Sequence, residues 1–172
     1  FPGLARKDWQ AFQGSPPAST DDHAPIPADE FLSRDAALYA RLQDLLRRFP
    51  ESEPALVRWL SLAIPHGASV FTGNSMPVRE WNLCADHSRS HRVQALRGAN
   101  GIDGNLSTSL GLAADREDLW CLSGDLTALY DLNAPWMLRQ LPPGRRRFVV
   151  IQNAGGKIFS RLPSLKELPA HA

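Results

Sequence analysis

The sequence predicts an α/β fold, a doubly wound parallel sheet with helices on both faces. Four short apolar runs alternate with longer segments in which apolar residues recur at helical spacing. Each run is followed by a glycine-rich or polar loop, as is typical of buried strands in parallel sheets. Strands that alternate with helices in this way form open sheets, in which right-handed crossovers are expected.

The chain begins with a segment that is poor in apolar residues. Residues 1–30 contain Gly14-Ser-Pro-Pro17 and Ser19-Thr-Asp-Asp22, and such a composition predicts a linker from a preceding domain. The domain itself is predicted over residues 31–172. Because the first residue is Phe1 rather than Met, we expect the chain to be part of a longer protein.

Two amphipathic helices are predicted before the sheet. Residues 28–49 carry leucines and a phenylalanine at helical spacing. Residues 55–64 form the second helix, with Ser52 as its N-cap and Pro54 in its first turn.

The remaining elements alternate between strand and helix. The predicted strands are residues 68–72, 91–96, 119–123 and 148–151. The predicted helices are residues 77–85, 104–114 and 126–140. Arg145-Arg-Arg147 lies beside Pro142-Pro-Gly144, which favours a solvated loop over a phosphate-binding segment.

The bulk composition fits one ordinary domain. The chain has 172 residues, of which 43% are hydrophobic and 22% charged, and its net charge of +1 does not indicate a nucleic-acid-binding protein. Cys84 and Cys121 are too few for a disulfide framework, and Cys121 is predicted to fill the core. No apolar stretch approaches the roughly 20 residues that span a bilayer, and the N-terminus lacks a signal-peptide pattern, so a cytoplasmic location is predicted.

Metal-binding oxygens follow two neighbouring predicted strands. Gly124-Asp125 closes the third strand and Asn153-Ala-Gly155 closes the fourth. A strand, helix, strand unit places Asp125 and Asn153 at adjacent carboxyl ends, where open α/β folds bind ligands. Carboxylate and amide oxygens suit Mg²⁺, which is usually shared with substrate phosphates, so the pattern predicts a diphosphate site. The free N–H groups at the start of the next helix would favour the phosphates.

All the predicted strands end in small or polar loops. These loops are Gly73-Asn-Ser75, Arg97-Gly-Ala-Asn-Gly-Ile-Asp-Gly104, Gly124-Asp125 and Asn153-Ala-Gly-Gly156. Taken singly, each has a structural explanation, since Asp often caps a helix and Asn-x-Gly often forms a turn. Several such loops at one edge of the sheet favour a cofactor-binding crevice there. Gly104 precedes a predicted helix, and the N-terminus of that helix is predicted to be a further anion-binding site.

The same loops carry ordered motifs that resemble a known enzyme family. The motifs are Gly73-Asn-Ser-Met-Pro-Val-Arg79, Arg97-Gly-Ala-Asn-Gly-Ile-Asp-Gly104, Gly124-Asp-Leu-Thr-Ala-Leu-Tyr-Asp-Leu-Asn133 and Asn153-Ala-Gly-Gly-Lys-Ile-Phe-Ser160, followed by Leu162-Pro163. Together they are similar to the 2-succinyl-5-enolpyruvyl-6-hydroxy-3-cyclohexene-1-carboxylate (SEPHCHC) synthases, thiamin diphosphate enzymes of menaquinone biosynthesis. The match implies the diphosphate-binding domain of such an enzyme, without that domain's usual last strand and helix.

The resemblance implies roles for individual residues. It makes the side chains of Asp125 and Asn153 and the carbonyl of Gly155 the ligands of Mg²⁺ or Mn²⁺. The resemblance also implies that Gly124, Leu126 and Ile102 contact thiamin diphosphate. The role implied for Ile102 is to hold the cofactor in its bent form. An apolar wall beside the reactive thiazolium carbon is implied for Ile158, Phe159 and Leu162. Substrate carboxylates are implied to bind Ser75, Arg79 and Arg97, since guanidinium groups hold carboxylates in a bidentate manner.

The implied reaction joins two carboxylate substrates. In this family 2-oxoglutarate loses CO₂ on the cofactor, and the remaining fragment adds to isochorismate. The resemblance further implies a glutamate from a separate pyrimidine-binding domain, on the same or a partner subunit of a homodimer or homotetramer. We therefore expect the chain alone to be inactive.

Three positions depart from the family pattern. Gln152 is not an implied metal ligand, so metal binding is expected to survive, whereas Leu96 and Lys157 are expected to alter substrate contacts. Two alternatives stay open. One is another thiamin enzyme of the decarboxylase or acetolactate synthase type, against which the loop that begins at Arg97 argues. The other is a non-catalytic module that keeps the fold for binding or assembly.

Overall fold

The computed structural model describes residues 27–98 and 100–159. The chain divides into two compact units, residues 1–41 and 42–172. The predicted linker falls almost entirely on residues outside the described ranges, so it stays a prediction.

Helix α1 (Ala28–Arg48) begins in the first unit, and its last seven residues, from Leu42 on, belong to the second. Asp29 and Glu30 in its first turn, and Arg47 and Arg48 in its last, oppose the partial charges of the helix ends. No helix in the described ranges combines the length and apolar character that a membrane span requires.

The second unit contains the sheet and its helices. Its helices are α2 (Glu53–Ala63), α3 (Met76–Cys84), α4 (Asn105–Leu112) and α5 (Asp125–Tyr130), with 3₁₀ turns at Ala113–Asp115 and Ala134–Gln140. Its strands are β1 (Ser69–Thr72), β2 (Arg92–Gln94), β3 (Asp118–Gly124) and β4 (Arg145–Ile151). The predicted cap of α2 is confirmed, because the Ser52 hydroxyl accepts a hydrogen bond from the Ala55 N–H at 3.4 Å.

The strands form a parallel sheet in the order β2-β1-β3-β4. Both β2 and β3 pair with β1 in parallel, and β4 pairs with β3 in the same sense. The chain therefore runs outward from β1 to β2, returns to the other side of β1, and continues outward to β4. This reversal puts a topological switch point between β1 and β3, where open α/β sheets bind ligands.

Helices cover both faces of the sheet, as the sequence predicted. Adjacent residues of β1 point to opposite faces, with Val70 in one core cluster and Phe71 in another. The first cluster joins the sheet to α2 and α3 through Val57, Leu60, Ile64, Trp81, Ala85, Leu122 and Ile151. The second packs Leu119 and Cys121 against Ala113, and Cys121 is the core residue that its place in a strand predicted.

The prediction of one continuous helix over residues 126–140 is wrong. Helix α5 ends at Tyr130, and a 3₁₀ turn begins at Ala134. Pro135 lacks an N–H, and in an α-helix its ring would clash with the carbonyl of residue 131, so a continuous α-helix through this segment is strongly disfavoured. Asp131 lies in the break, where its carboxylate accepts hydrogen bonds from the backbone and the hydroxyl of Ser107 at 2.7 and 2.8 Å.

The prediction of a solvated loop at residues 145–147 is also wrong, because these arginines form the first half of β4. Asp118, paired with Arg145 in the sheet, forms an ion pair with Arg145 at 3.2 Å and accepts a hydrogen bond from Arg147 at 2.5 Å. The Arg147 guanidinium also stacks over the Trp120 ring, 4.6 Å from its centroid. The neighbouring strand therefore supplies the partners that let a basic run enter the sheet.

Candidate cofactor site at the carboxyl edge of the sheet

A cleft of about 300 Å³ opens at the carboxyl edge of the sheet. Segments that follow each of the described strands line it. These segments include Ser75 after β1, Ile102 after β2, residues 125–127 after β3 and residues 156–159 after β4. Its volume lies at the lower end of the range for small-molecule sites, and it is located at the switch point between β1 and β3.

The carboxylate of Asp125 and the side-chain oxygen of Asn153 converge in this cleft. Asp125 Oδ2 accepts from the backbone N–H of Gly155 at 2.9 Å and from that of Asn153 at 3.1 Å. Asn153 Oδ1 accepts from the same Gly155 N–H at 3.1 Å. Two oxygens bound to one N–H must lie near each other, so the strand ends bring the predicted ligands together as expected.

The hydrogen bonds also keep Asp125 ionised. Partial burial raises the pKa of the Asp125 carboxyl, but the N–H groups of Leu126, Asn153 and Gly155 together lower it by more, so this pKa lies below its ordinary value. The carboxylate is therefore negative at neutral pH, as a metal ligand requires.

A short left-handed segment shapes the loop after β4. Ala154, Gly155 and Gly156 have φ values of 66°, 71° and 63°. At Gly155 a side chain would meet Leu126, since an added Cβ would lie 3.1 Å from its Cγ. Only glycine combines this backbone conformation with such a close approach, and it brings the Gly155 backbone next to Asp125.

The residues fit a hard cation that is shared with phosphates. Within the described ranges, no group of three or more His, Cys, Asp and Glu side chains could hold a metal ion. The donors here are instead one carboxylate, one amide oxygen and a nearby backbone carbonyl, which is the small set of protein oxygens that Mg²⁺ uses when phosphates complete its shell.

Apolar side chains form another part of the cleft lining. Ile102, Ile158 and Phe159 all line it, and 56% of the Phe159 surface is exposed. The third residue of the predicted apolar wall, Leu162, lies outside the described residues.

The predicted substrate residues gather around the loop after β1. Ser75 lines the cleft and adopts a φ of 74°. The Arg79 guanidinium donates to the Ser75 carbonyl, and Arg97 donates to the Asn74 side chain at 3.5 Å. Neither arginine is among the described residues that line the cleft.

Two buried asparagines near the cleft escaped the sequence analysis. The Asn105 side-chain oxygen accepts from the Asn74 N–H at 3.1 Å, and Asn74 Nδ2 donates to the Gly101 carbonyl at 2.7 Å. These bonds join the loop after β1 to the loop that carries Ile102. The sequence signal that could have found them is an asparagine directly after a glycine, in Gly73-Asn74 and in Gly104-Asn105.

The N-terminus of α4 does not offer the anion site that Gly104 suggested. Asp131 already accepts from the Ser107 N–H in its first turn at 2.7 Å. Gly104 and the first turn of α4 are also absent from the described cleft lining. A carboxylate of the protein therefore occupies the position that an external anion would need.

Comparison with known proteins identifies the family. The chain is 47% identical over 129 residues to the 2-succinyl-5-enolpyruvyl-6-hydroxy-3-cyclohexene-1-carboxylate synthase of Bdellovibrio bacteriovorus. This alignment covers 74% of the chain and 24% of that protein. A synthase of the same name from Akkermansia muciniphila is 47% identical over 131 residues, covering 76% of the chain and 25% of the relative. The chain belongs to this synthase family.

The similarity extends beyond the predicted motifs. A family member from Synechococcus sp. (strain CC9902) is 39% identical over 153 residues, or 88% of the chain and 26% of the relative. The chain thus spans about a quarter of the length of the synthases it matches. No family model matches it.

Proposed function

We propose that this chain is the diphosphate-binding domain of a thiamin diphosphate- and Mg²⁺-dependent SEPHCHC synthase. The complete enzyme would convert 2-oxoglutarate and isochorismate to SEPHCHC and CO₂. Similarity to synthases of that name supports the proposal. The structural observation that carries it is the convergence of Asp125 and Asn153 on the Gly155 N–H.

The metal would be held by three oxygens of this chain. Asp125 contributes a carboxylate whose lowered pKa keeps it charged, Asn153 contributes its amide oxygen, and Gly155 contributes its carbonyl. A carboxylate has about four lone-pair sites, and Asp125 uses three of them for N–H groups, which leaves one for a metal. Mn²⁺ accepts the same oxygen donors and could replace Mg²⁺.

The apolar residues would protect the reacting end of the site. Thiamin diphosphate, when bound, supplies the carbon that takes up electrons as a keto acid loses CO₂. Ile102, Ile158 and Phe159 would make this part of the cleft less polar, because they line it with apolar side chains. A less polar environment favours decarboxylation because the negative charge of the carboxylate is dispersed as CO₂ leaves.

Polar residues beside the cleft would bind the substrate carboxylates. Ser75 already lines the cleft, while Arg79 and Arg97 bond to the loop that contains it. Each guanidinium stays charged and can hold a carboxylate through two parallel N–H donors. In this proposal the substrate carboxylates would lie near the loop after β1, and the diphosphate would lie near the loops after β3 and β4.

The rest of the active site would come from a pyrimidine-binding domain in the same or a partner subunit of a homodimer or homotetramer. That domain would supply the acid that activates the cofactor. A cytoplasmic location also remains a prediction from the sequence.

The metal site can be tested by calorimetry. Mg²⁺ is titrated into the natural full-length protein with thiamin diphosphate, and the titration is repeated with Asp125→Ala. We expect the variant to lose the binding heat, because it removes the charged ligand. Asp115→Ala is a matched control, since Asp115 is an exposed carboxylate before β3, at the amino edge of the sheet.

Equal heats for Asp125→Ala and the unmodified protein would refute the proposed site. Normal binding without CO₂ release from 2-oxoglutarate, in the presence of isochorismate, would favour the non-catalytic alternative.

A further inference from the structure

Glu53 reaches the predicted metal ligands from a distant part of the sequence. It is the first residue of α2, and its Oε1 accepts a hydrogen bond from Asn153 Nδ2 at 2.9 Å. The two residues are separated by 100 positions. Glu53 also lines the cleft beside Asp125, although no site motif includes it.

The bond to Glu53 fixes the orientation of the Asn153 amide. An amide side chain has one face that accepts and one that donates hydrogen bonds. Its oxygen accepts from the Gly155 N–H, while its nitrogen donates to the Glu53 carboxylate. A flipped amide would place an NH₂ group against an N–H and an oxygen against a carboxylate, so both partners select the same orientation.

We propose that Glu53 is a positioning residue that keeps the Asn153 oxygen turned toward the metal. This inference rests on the proposed function, since it assumes that Asn153 is a ligand. A flipped Asn153 would direct NH₂ hydrogens at the cation, which a metal cannot use. Partners behind the direct ligands commonly orient them in this way, and their loss typically lowers metal affinity by about 10- to 100-fold.

The position of Glu53 suits this task. The Ser52 hydroxyl caps the helix that carries it, accepting from the Ala55 N–H at 3.4 Å. Later residues of the same helix, Val57 and Leu60, pack in the core against the sheet. Glu53 therefore extends from a fixed element, which is the support that a precise ligand geometry needs. A carboxylate at this helix terminus is also favoured by the helix dipole.

Two substitutions separate the hydrogen bond from the charge. Glu53→Ala removes both, whereas Glu53→Gln removes the charge but keeps an oxygen that can accept from Asn153 Nδ2. Glu51→Ala is the matched control, because Glu51 is an exposed carboxylate two residues earlier. If Glu53 acted only through the helix dipole, the Ala and Gln variants would behave alike.

The experiment measures Mg²⁺ affinity calorimetrically in the natural full-length protein with thiamin diphosphate. We expect Glu53→Ala to weaken Mg²⁺ binding by about 10- to 100-fold. We expect Glu53→Gln to stay within about threefold of the unmodified protein, since a neutral acceptor gives a weaker bond of the same geometry. Glu51→Ala should bind normally, and thermal unfolding without ligands should confirm that all the variants fold.

The outcomes also separate this inference from the proposed function. If Asp125→Ala abolishes binding but Glu53→Ala binds within about twofold of normal, well short of the expected loss, the positioning role is refuted and the metal site stands. Equal losses in Glu53→Ala and Glu53→Gln would also refute it, because the retained acceptor would then have no effect. If Asp125→Ala itself binds normally, the proposed function fails.

Discussion

Replacement of Asn105 by alanine should destabilise the loop that carries Ile102. Asn105 and Asn74 are both 0% exposed. Asn105 Oδ1 accepts from the Asn74 N–H at 3.1 Å, while its Nδ2 donates to the carbonyls of Gly101 and Asp103 at 3.2 and 3.0 Å. These two carbonyls flank Ile102, so the Asn105 side chain holds the loop on both sides of Ile102.

The cost of Asn105→Ala follows from what the substitution leaves behind. The buried Asn74 N–H loses its acceptor, and an unsatisfied buried donor costs about 1–3 kcal/mol. The Gly101 carbonyl keeps its bond from Asn74 Nδ2 at 2.7 Å, so its loss is smaller. With the Asp103 bond included, we expect a loss of about 3 kcal/mol in the free energy of unfolding. At about 2–4 °C per kcal/mol for a chain of this size, Tm should fall by about 6–12 °C.

Urea unfolding followed by far-UV circular dichroism measures this loss. Asn82→Ala is the matched control, because Asn82 is exposed on α3 and alanine has a higher helix propensity. If the two variants differ by less than about 0.5 kcal/mol, the buried network does not stabilise the loops as argued.

Two further substitutions test the loop after β4 and the acid stability. Gly155→Ala should lower the free energy of unfolding, measured in urea, by about 2 kcal/mol or more. The reason is that Gly155 has a φ of 71° and that the new Cβ would press on Leu126. Gly111→Ala is the control, since Gly111 lies on the open surface of α4, and it should be neutral or stabilising. Equal effects would contradict the strain argument. The hydroxyl and backbone N–H of Ser88 hold the pKa of the Asp86 carboxyl below its ordinary 3.8. The stability that these two hydrogen bonds contribute is therefore fully present above pH 3.8, and it is lost as the pH falls through the pKa of Asp86 in the folded protein. Ser88→Ala should therefore be less stable than the unmodified protein at about pH 6, with a gap that narrows toward about pH 3, and a gap that widens in acid would contradict this assignment.

The fold was predictable because its signals are local. Buried parallel strands appear as short apolar runs, and the helix caps have their own residue preferences, such as Ser52 before α2. The sheet order was not predicted, because nothing local in a strand specifies its neighbours. The break after Tyr130 had a local signal in Pro135, but the helical spacing of the flanking residues outweighed it in the sequence analysis.

The basic run in β4 shows the opposite case, in which the decisive information lies in another strand. Arg145 and Arg147 have the composition of a loop, and only the register with Asp118 and Trp120 supplies their partners. Since pairing register is a property of the assembled sheet, the local sequence could not reveal it.

The site divides in the same way. The proximity of Asp125 and Asn153 was predictable because a single strand, helix, strand unit connects them, so chain order alone puts them at adjacent strand ends. Glu53 is brought to Asn153 by the packing of α2 on one face of the sheet, and Asn105 meets Asn74 through a contact between two loops. Such residues depend on tertiary packing, and their amide and carboxylate side chains have no distinctive spacing in the sequence.

The arrangement explains why a cleft forms at this edge and why it needs polar support. Because the strand order reverses between β1 and β3, the chain leaves these neighbouring strands in different directions, and no crossover fills the space between their ends. Hydrogen bonds between the loops around that space help to define its shape. Asn74 and Asn105 do this on the side of Ile102, and Glu53 does it on the side of Asn153. Substitutions at these supporting residues should therefore alter the cleft even though the proposed metal ligands remain unchanged.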